Sequence, residues 1–326
     1  MAGQAGHDEW GACFLRGLLL TSREVIIIDM KRILVAGLCA AALLLAASCQ
    51  GTKAPLATKT FEYTDTTDHA SLTFLAELPT AKRGAGAAIR EELLKVVVDG
   101  QLGSMFQYES GRSFPAYEGD MRDLKAVMDY YWEESLALID SYSEEDARMR
   151  EEAIMESEEM DEEEKAIMIA DAPGWEYDFQ LTMDEDNPRY VVFSSEDYVY
   201  MGGAHGGVTG KGSLTFDKKT GRRIEHVIDP DCTEAIQPLL EKGLCSYFVE
   251  GGEEVSPQEL REWLFIEEGG DIPLPVWEPF PSEEGIVFTY QQYEIAAYAF
   301  GMPNFVVPFD EIRPFLTPEA VALLGL

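Results

Sequence analysis

The chain has 326 residues, with 60 acidic against 25 basic side chains, a formal net charge of −35 and a pI near 4.3. An electric field of this sign repels a phosphate backbone and excludes nucleic acid as a partner, whereas it attracts cationic partners. Hydrophobic and aromatic contents of 46% and 11% are those of a globular protein, which excludes a wholly disordered chain.

The first predicted element is a targeting sequence that begins at Met30. Two basic residues precede an apolar run, 33–47, which is shorter than the roughly 20 apolar residues needed to span a bilayer. Small residues then precede Cys49, as in the lipobox of bacterial lipoproteins, where the cysteine is lipidated. We expect a lipoprotein signal peptide at 30–48 and an upstream start-site error over 1–29; an uncleaved membrane anchor is the alternative.

The composition after Cys49 indicates where the protein is located. Residues 49–60 form a tether of small and polar residues, without the acidic run that marks surface export in one class of lipoproteins. We therefore expect a lipid-anchored protein of the cell envelope that faces the periplasm. Cys232 and Cys245 could form a disulfide there, but a helix between them would separate their Cα atoms by about 20 Å, so two separate buried cysteines are expected.

A helix-rich N-terminal unit is predicted over 61–172. Alternating apolar residues predict a strand over 69–79, and apolar residues at helical spacing predict helices over 87–100 and 121–139. The acid-rich stretch 143–166 is interpreted as a solvated helix with the i, i+4 ion pairs Glu144–Arg148 and Asp146–Arg150. A calcium-binding site is the more specific alternative. Such a site needs a loop of oxygen ligands with a glycine hinge, which this stretch does not resemble.

A C-terminal unit over 173–326 is richer in strands. Strands and helices come in groups rather than in strict alternation, which favours an α+β fold with two subdomains and a mostly antiparallel C-terminal sheet with flanking helices. Turns are expected at Asn187–Pro188, Ser194–Ser195 and Gly221. The predicted strands are 175–183, 189–195, 197–201, 212–216, 222–227 and 286–290. The predicted helices are 233–248, 256–265 and 317–324, and the second is expected to begin with a capping box of Ser256 and Glu259.

The sequence GGAHGG places four glycines around an Ala–His centre. Gly202, Gly203, Gly206 and Gly207 allow the backbone to adopt positive φ angles or to approach another chain closely. A phosphate-binding loop would lead into a helix, whereas here a strand-like sequence follows. We expect a strand-to-strand turn in which His205 hydrogen-bonds to the backbone; ligand contact and catalysis are the alternatives for this histidine.

The sequence contains none of the motifs G-x-S-x-G, H-E-x-x-H, G-x-x-x-x-G-K-[ST] and C-x-x-C. Beyond the signal peptide, His69, His205 and His226 are not at metal-ligand spacing from one another. No catalytic residue, metal or cofactor is therefore predicted. Two alternatives stay open: a zinc site of His205, His226 and a carboxylate, and an envelope hydrolase that acts on peptidoglycan or another glycan with carboxylates or a metal.

Three stretches resemble a known family: YVYMGGAHG, TFDKKTGRRI and IVFTYQQYEIAAYAFG. They are similar, over about 175–316, to the extracytoplasmic domain of the RsiV anti-sigma factors. This domain of unknown function also occurs in envelope lipoproteins and beside the PdaC deacetylase. The family pattern has Asn-Pro before Tyr-Glu-Ile-Ala and Pro after it, where this chain has Gln291, Gln292 and Ala297. The matching positions are Tyr293, Glu294, Ile295, Tyr298 and Gly301.

The resemblance implies a ligand-binding module, because the domain binds lysozyme in the RsiV proteins. The expected partners are the membrane, through the lipid on Cys49, and lysozyme, another cationic protein or a cell-wall glycan. The aromatic residues are expected to anchor the ligand, and the glycine loop is expected to allow close approach. The candidate ligand-binding residues are Gly202, Gly203, His205, Gly206, Tyr293, Glu294 and Tyr298.

Overall fold

The computed structural model describes residues 54–97, 117–202, 207–250, 253–267 and 269–326. Within these ranges the α+β class is confirmed, because helices accompany a five-stranded mixed sheet, a three-stranded antiparallel sheet and a two-stranded ribbon. The predictions on the signal peptide, Cys49, Gly203, His205 and Gly206 lie outside the described residues.

The larger sheet contains five strands that lie side by side in chain order. They are β1 (Thr58–Thr66), β2 (Ala70–Pro79), β3 (Trp175–Asp186), β4 (Tyr190–Tyr200) and β5 (Val208–Asp217). Neighbours pair antiparallel except β2 and β3, which run parallel with Ala70 opposite Trp175. Two strands that pair in parallel need a long crossover connection between them. Because β2 belongs to the predicted unit 61–172 and β3 to the predicted unit 173–326, the sheet includes strands from both units.

Within the described residues of this crossover lie three helices: α1 (Ala85–Lys95), α2 (Leu124–Glu156) and α3 (Glu162–Ala170). α1 and α2 pack on one face of the sheet, and the predicted apolar faces of strand and helices form its core. Met121 was expected on that apolar face, but its side chain is exposed, because α2 begins only after the N-cap residue Asp123. The confirmed core residues are Leu72, Phe74, Ala76, Leu78, Ile89, Leu93, Leu94, Val97, Met128 and Tyr131.

The acid-rich stretch is helical as predicted to Glu156, where α2 ends. The single helix expected over 143–166 is interrupted at residues 157–161, because Asp161 caps the start of the separate helix α3. The predicted ion pair between Asp146 and Arg150 is present. The predicted Glu144–Arg148 pair is not, because Arg148 instead binds Glu152, one turn further on, at 2.7 Å. These mostly exposed i, i+4 pairs each stabilise a helix by only about 0.3–0.5 kcal/mol.

Two predicted features of the strand region are wrong. The expected turn at Ser194–Ser195 is the middle of β4, because both serines are buried and lie opposite residues of β3 and β5. The expected strand 222–227 forms only one isolated bridge, between Phe216 and Arg223. The turn before it is confirmed, with Gly221 at a φ of 77°.

The C-terminal elements enclose a second hydrophobic core, built around Ile236, Leu240, Phe288 and Tyr290. Its three-stranded sheet has the order β10-β9-β8 and is antiparallel throughout. The helices are α4 (Thr233–Tyr247), α5 (Pro257–Trp263), α6 (Phe309–Ile312) and α7 (Pro318–Leu324). The strands are β6 (Val249–Glu250), β7 (Glu253–Glu254), β8 (Phe280–Pro281), β9 (Gly285–Thr289) and β10 (Asn304–Pro308).

Two local predictions in this region are confirmed. Ser256 and Glu259 form the predicted capping box at the start of α5. Cys232 and Cys245 are not joined by a disulfide, and the first is half-buried and the second buried. None of the helices in the described ranges combines the length and apolar character that a membrane crossing requires.

A buried ion pair attaches the segment before β1 to the turn region of the sheet. The Lys218 side chain is only 3% exposed, and its ammonium group binds the Asp186 carboxylate. The same ammonium donates to the carbonyl of Ala54 at 3.2 Å, and the second Asp186 oxygen accepts the Leu56 N–H at 2.9 Å. Removing one partner of such a pair leaves an uncompensated buried charge.

We predict that Asp186→Asn lowers the free energy of unfolding by about 3 kcal/mol, because it leaves the Lys218 charge buried and unpaired. Urea denaturation of the variant and the wild type measures this loss. The control is Glu152→Gln in the exposed pair with Arg148, which should cost less than about 0.5 kcal/mol. Equal losses for the two variants would contradict a structural role for the buried pair.

Candidate functional site

Residues 291–298, here called the edge segment, run along the outer edge of β5. The Gln291 side chain accepts the backbone N–H of Lys211 and donates to its carbonyl oxygen, both at 2.8 Å. At the other end, the Tyr298 hydroxyl donates to the Gly207 carbonyl at 2.7 Å. Since an uncovered edge strand presents unpaired backbone groups, the edge segment closes part of this edge. It also comes to lie beside the end of the glycine loop.

Glu294 determines the shape of the edge segment. Its two carboxylate oxygens accept the backbone N–H groups of Gln291, at 2.6 Å, and of Val276, at 2.7 Å. Charge-assisted hydrogen bonds of this kind are stronger than neutral ones. Glu294, a predicted ligand-binding residue, thus connects the edge segment to the chain before β8.

Tyr293 has a strained backbone. Its φ of 64° lies in the left-handed region, and no other described residue except glycine has a positive φ. It occupies the third position of a turn closed by the Glu294 N–H and the Gln291 carbonyl, where glycine or asparagine is usual. The side chain is nevertheless 55% exposed, and its ring centroid lies 5.5 Å from that of Tyr298. Strain at an exposed aromatic residue points to a role in binding.

Exposed apolar residues are hydrogen-bonded to the edge segment next to Tyr293. Val276 and Phe265 are 79% and 60% exposed, and their backbone N–H groups bind Glu294 and the Ile295 carbonyl, respectively. Trp277, 38% exposed, follows Val276. Contiguous exposed apolar side chains mark interaction sites, whereas scattered ones do not. The five residues called the aromatic surface below are Phe265, Val276, Trp277, Tyr293 and Tyr298.

The described part of the glycine loop is held from two sides. Gly202 has a φ of 68°, and a Cβ at this position would lie 2.7 Å from the Arg150 guanidinium. Arg150 is itself fixed by Asp146 and by the Pro173 carbonyl at 2.9 Å. β4 and β5 pair antiparallel on either side of the loop, as a connection between neighbouring strands requires, whereas residues 203–206 themselves lie outside the described residues.

A partly buried carboxylate, Asp197, lies on the sheet close to this region. Its register partners are Phe179 on β3 and Gly210 on β5, and its Oδ1 lies 2.6 Å from where a Gly210 Cβ would be. Burial, and to a lesser extent the charge of Glu196, raise the pKa of Asp197 to about 6. The Tyr177 hydroxyl on the same face is buried and has no hydrogen-bond partner among the described residues.

The structure brings together two parts of the predicted site. Tyr298 of the edge segment contacts Gly207 of the glycine loop, although 91 residues separate them. Sequence reasoning missed Phe265, Trp277 and Asp197. A usable signal was the alternation of glycines at 210 and 212 within a strand, because such glycines indicate close approach by other groups.

Other possible sites lie away from the aromatic surface. A cavity of about 240 Å³ between α2 and the start of β3 is lined by Asp146, Arg150 and Trp175, and a neighbouring cavity of about 470 Å³ shares His69 with it. Among the described residues, no three His, Cys, Asp or Glu side chains are grouped to hold a metal ion.

Comparison with known proteins identifies a family for part of this site. Residues 252–310, which include the whole aromatic surface, match a family described as "Protein of unknown function (DUF3298)". A crystal structure of a DUF3298 family member from Bacteroides fragilis NCTC 9343 is similar with a TM-score of 0.55 and 17% identity, over 84% of this chain and 100% of that chain. This similarity extends the shared fold beyond the matched residues.

A DUF3298 family structure from Pseudomonas aeruginosa PAO1 has a TM-score of 0.49 and 14% identity, over 82% of this chain and 97% of that chain. No curated protein matches the chain. The comparisons therefore establish a DUF3298 match and an α+β fold.

We predict that Tyr293→Asn leaves the free energy of unfolding unchanged or raises it by up to about 1 kcal/mol. Asparagine tolerates the left-handed backbone better than tyrosine, and the exposed ring contributes little burial. Thermal denaturation measures the effect. Tyr298→Phe is the control that should lose about 1 kcal/mol, because the Gly207 carbonyl loses its donor. A loss above about 1 kcal/mol for Tyr293→Asn would show that the tyrosine serves the fold.

Proposed function

We propose that this protein is a lipid-anchored ligand-binding module of the bacterial cell envelope and that it captures a cationic protein of the lysozyme type at the aromatic surface. The observation that carries the proposal is the exposed Tyr293 ring, presented on a strained backbone in a segment whose hydrogen bonds also hold the exposed Val276 and Phe265. Tyrosine and tryptophan are enriched among the residues that dominate protein–protein binding energy.

Preorganisation of the aromatic surface supports a role in binding. Gln291 fixes the edge segment to β5, Glu294 holds its turn, and Tyr298 attaches it to Gly207. Side chains that are already ordered lose less conformational entropy when a partner binds. The surface is therefore suited to recognition without rearrangement of the backbone.

The net charge of −35 supports a cationic partner. Long-range attraction raises association rates by about 10 to 1000-fold, and it weakens as salt screens the charges. Any basic protein experiences this attraction, so charge alone does not select a partner. Selection requires short-range contacts, which the aromatic surface supplies in this proposal.

The envelope location in this proposal depends on Cys49 and on the similarity of the C-terminal part to the RsiV extracytoplasmic domain. A lipid on Cys49 would tether the binding module through residues 49–60 to the periplasmic face of a membrane. A small, soluble cationic protein would reach the aromatic surface there without entering the cytoplasm.

We predict that the purified protein binds lysozyme saturably at about 150 mM salt, where the Debye length is about 8 Å. Trp277→Ala and Tyr293→Asn should each weaken the binding at least about tenfold, a loss of about 1.4 kcal/mol, because each removes an anchor from the surface. Isothermal titration calorimetry measures both effects.

The matched control is Met168→Ala, which truncates a similarly exposed apolar side chain on α3 and should change affinity less than about twofold. A calorimetric signal that does not saturate as lysozyme is added, and that disappears when the salt concentration is raised, would show only nonspecific charge attraction. That result would overturn the proposal. Saturable binding of peptidoglycan fragments in place of lysozyme would assign the surface to a glycan, and turnover of those fragments would favour the hydrolase alternative.

We predict that bacteria expressing the protein incorporate labelled palmitate into it and that Cys49→Ala abolishes the labelling, because the thiol is the only acceptor in the lipobox-like sequence. Cys232→Ala is the control that should retain the label. Labelling that survives Cys49→Ala would contradict the lipid anchor while leaving the binding proposal intact.

A further inference from the structure

Asp197 and Trp277 are neighbours on one face of the large sheet. The Asp197 carboxylate occupies the space above Gly210, and the Trp277 ring lies 2.9 Å from where a Gly212 Cβ would be. Residues two apart on a strand point to the same face and are separated by about 7 Å. The partly buried Asp197 carboxylate thus lies next to Trp277, one of the residues of the aromatic surface.

Among the described residues, the charged and titratable groups around Asp197 do not neutralise it. Glu196 precedes it on β4 and points to the opposite face, where it lies 3.6 Å from Lys211 of β5. On β3, Tyr177 shares the face of Asp197, and its pKa is well above the ordinary value through burial and then through the charges of Asp197 and Asp178. These neighbours are neutral or negative, apart from a lysine on the other face.

An unpaired carboxylate in such surroundings destabilises the isolated protein. Burial disfavours the charged form, which is why the pKa of Asp197 is raised to about 6, and no cation in the described part of the chain offsets this cost. Costs of this kind are concentrated at functional sites, where a ligand supplies the missing partner. The Tyr177 hydroxyl, buried without a hydrogen-bond partner in the same part of the structure, adds a second unsatisfied group.

We infer that Asp197 is a specificity-determining residue that receives the ammonium or guanidinium group of a lysine or arginine side chain of the bound protein. The aromatic surface contacts apolar atoms beside that side chain. The inference rests on the proposed function and specifies what the partner presents: a basic side chain next to an apolar patch.

The inference predicts a pH dependence with a definite sign. A bound cation favours ionised Asp197, so affinity is greatest above the pKa of about 6 and falls as the pH decreases through it. At about pH 5 only about one-tenth of the carboxyl groups are ionised, which should weaken binding about tenfold relative to about pH 7.5. Lysine and arginine stay charged throughout this range.

The test is titration calorimetry of the full chain with lysozyme at about 150 mM salt, at about pH 7.5 and about pH 5. Asp197→Asn should bind about tenfold more weakly than wild type at the higher pH and should show little of the wild-type pH dependence. Asparagine has nearly the same shape and removes an unfavourable buried charge, so the variant is expected to fold at least as stably as wild type.

The matched control is Glu196→Gln, which removes an adjacent charge from the opposite face and should keep both the affinity within about twofold and the pH dependence. Wild-type affinity for Asp197→Asn, or an unchanged pH dependence, overturns the inference and leaves the proposed function standing. Absence of saturable wild-type binding overturns both. Weakened binding by Trp277→Ala with an intact pH dependence supports separate roles for the aromatic surface and the carboxylate.

Discussion

The side chain of Gln291 joins the C-terminal part of the structure to the five-stranded sheet, and the arrangement of the candidate site depends on it. Its amide bonds to both backbone groups of Lys211, as the peptide group of another strand would. This pairing is directional, so it sets the position of the edge segment along β5. Tyr298 then reaches Gly207, and Trp277 covers Gly212. One amide therefore brings together elements that are distant in the sequence.

Unfavourable features accumulate within a few residues of this junction. Tyr293 has a positive φ, Asp197 is partly buried without a described cation, and the Tyr177 hydroxyl has no partner in the part of the chain that the structure describes. By contrast, the buried charge of Lys218 at the other end of β5 is fully paired. Pairing therefore offsets the cost of burying the Lys218 charge, whereas the binding role that we propose would account for the unfavourable features near Gln291.

Sequence patterns over a few neighbouring residues predicted individual strands and helix caps. They did not predict which strands pair when these are far apart in the sequence. The alternating strand before α1 and the Ser256 capping box need only a few neighbouring residues, and both were predicted. The parallel pairing of β2 with β3 joins residues about 100 positions apart, which no local pattern specifies. The serines of β4 suggested a turn, because turn propensity does not include the neighbouring strands that bury them. The candidate site needed such long-range information, since Asp197 looks like an ordinary polar residue of a half-buried strand.

The edge segment keeps its shape although it lacks the prolines that the resemblance to the RsiV domain would place there. Gln292 stands where proline would favour the second position of the turn, and the turn is still formed, because Glu294 binds the Gln291 N–H and its own N–H binds the Gln291 carbonyl. Ala297 has φ and ψ angles of −64° and 150°, which proline also adopts. On either side of Tyr293, hydrogen bonds thus restrict the backbone where proline rings would otherwise do so. A turn that keeps an unfavourable backbone angle under a tyrosine, without a proline to impose it, is more readily explained by what the tyrosine contacts outside the protein than by chain geometry.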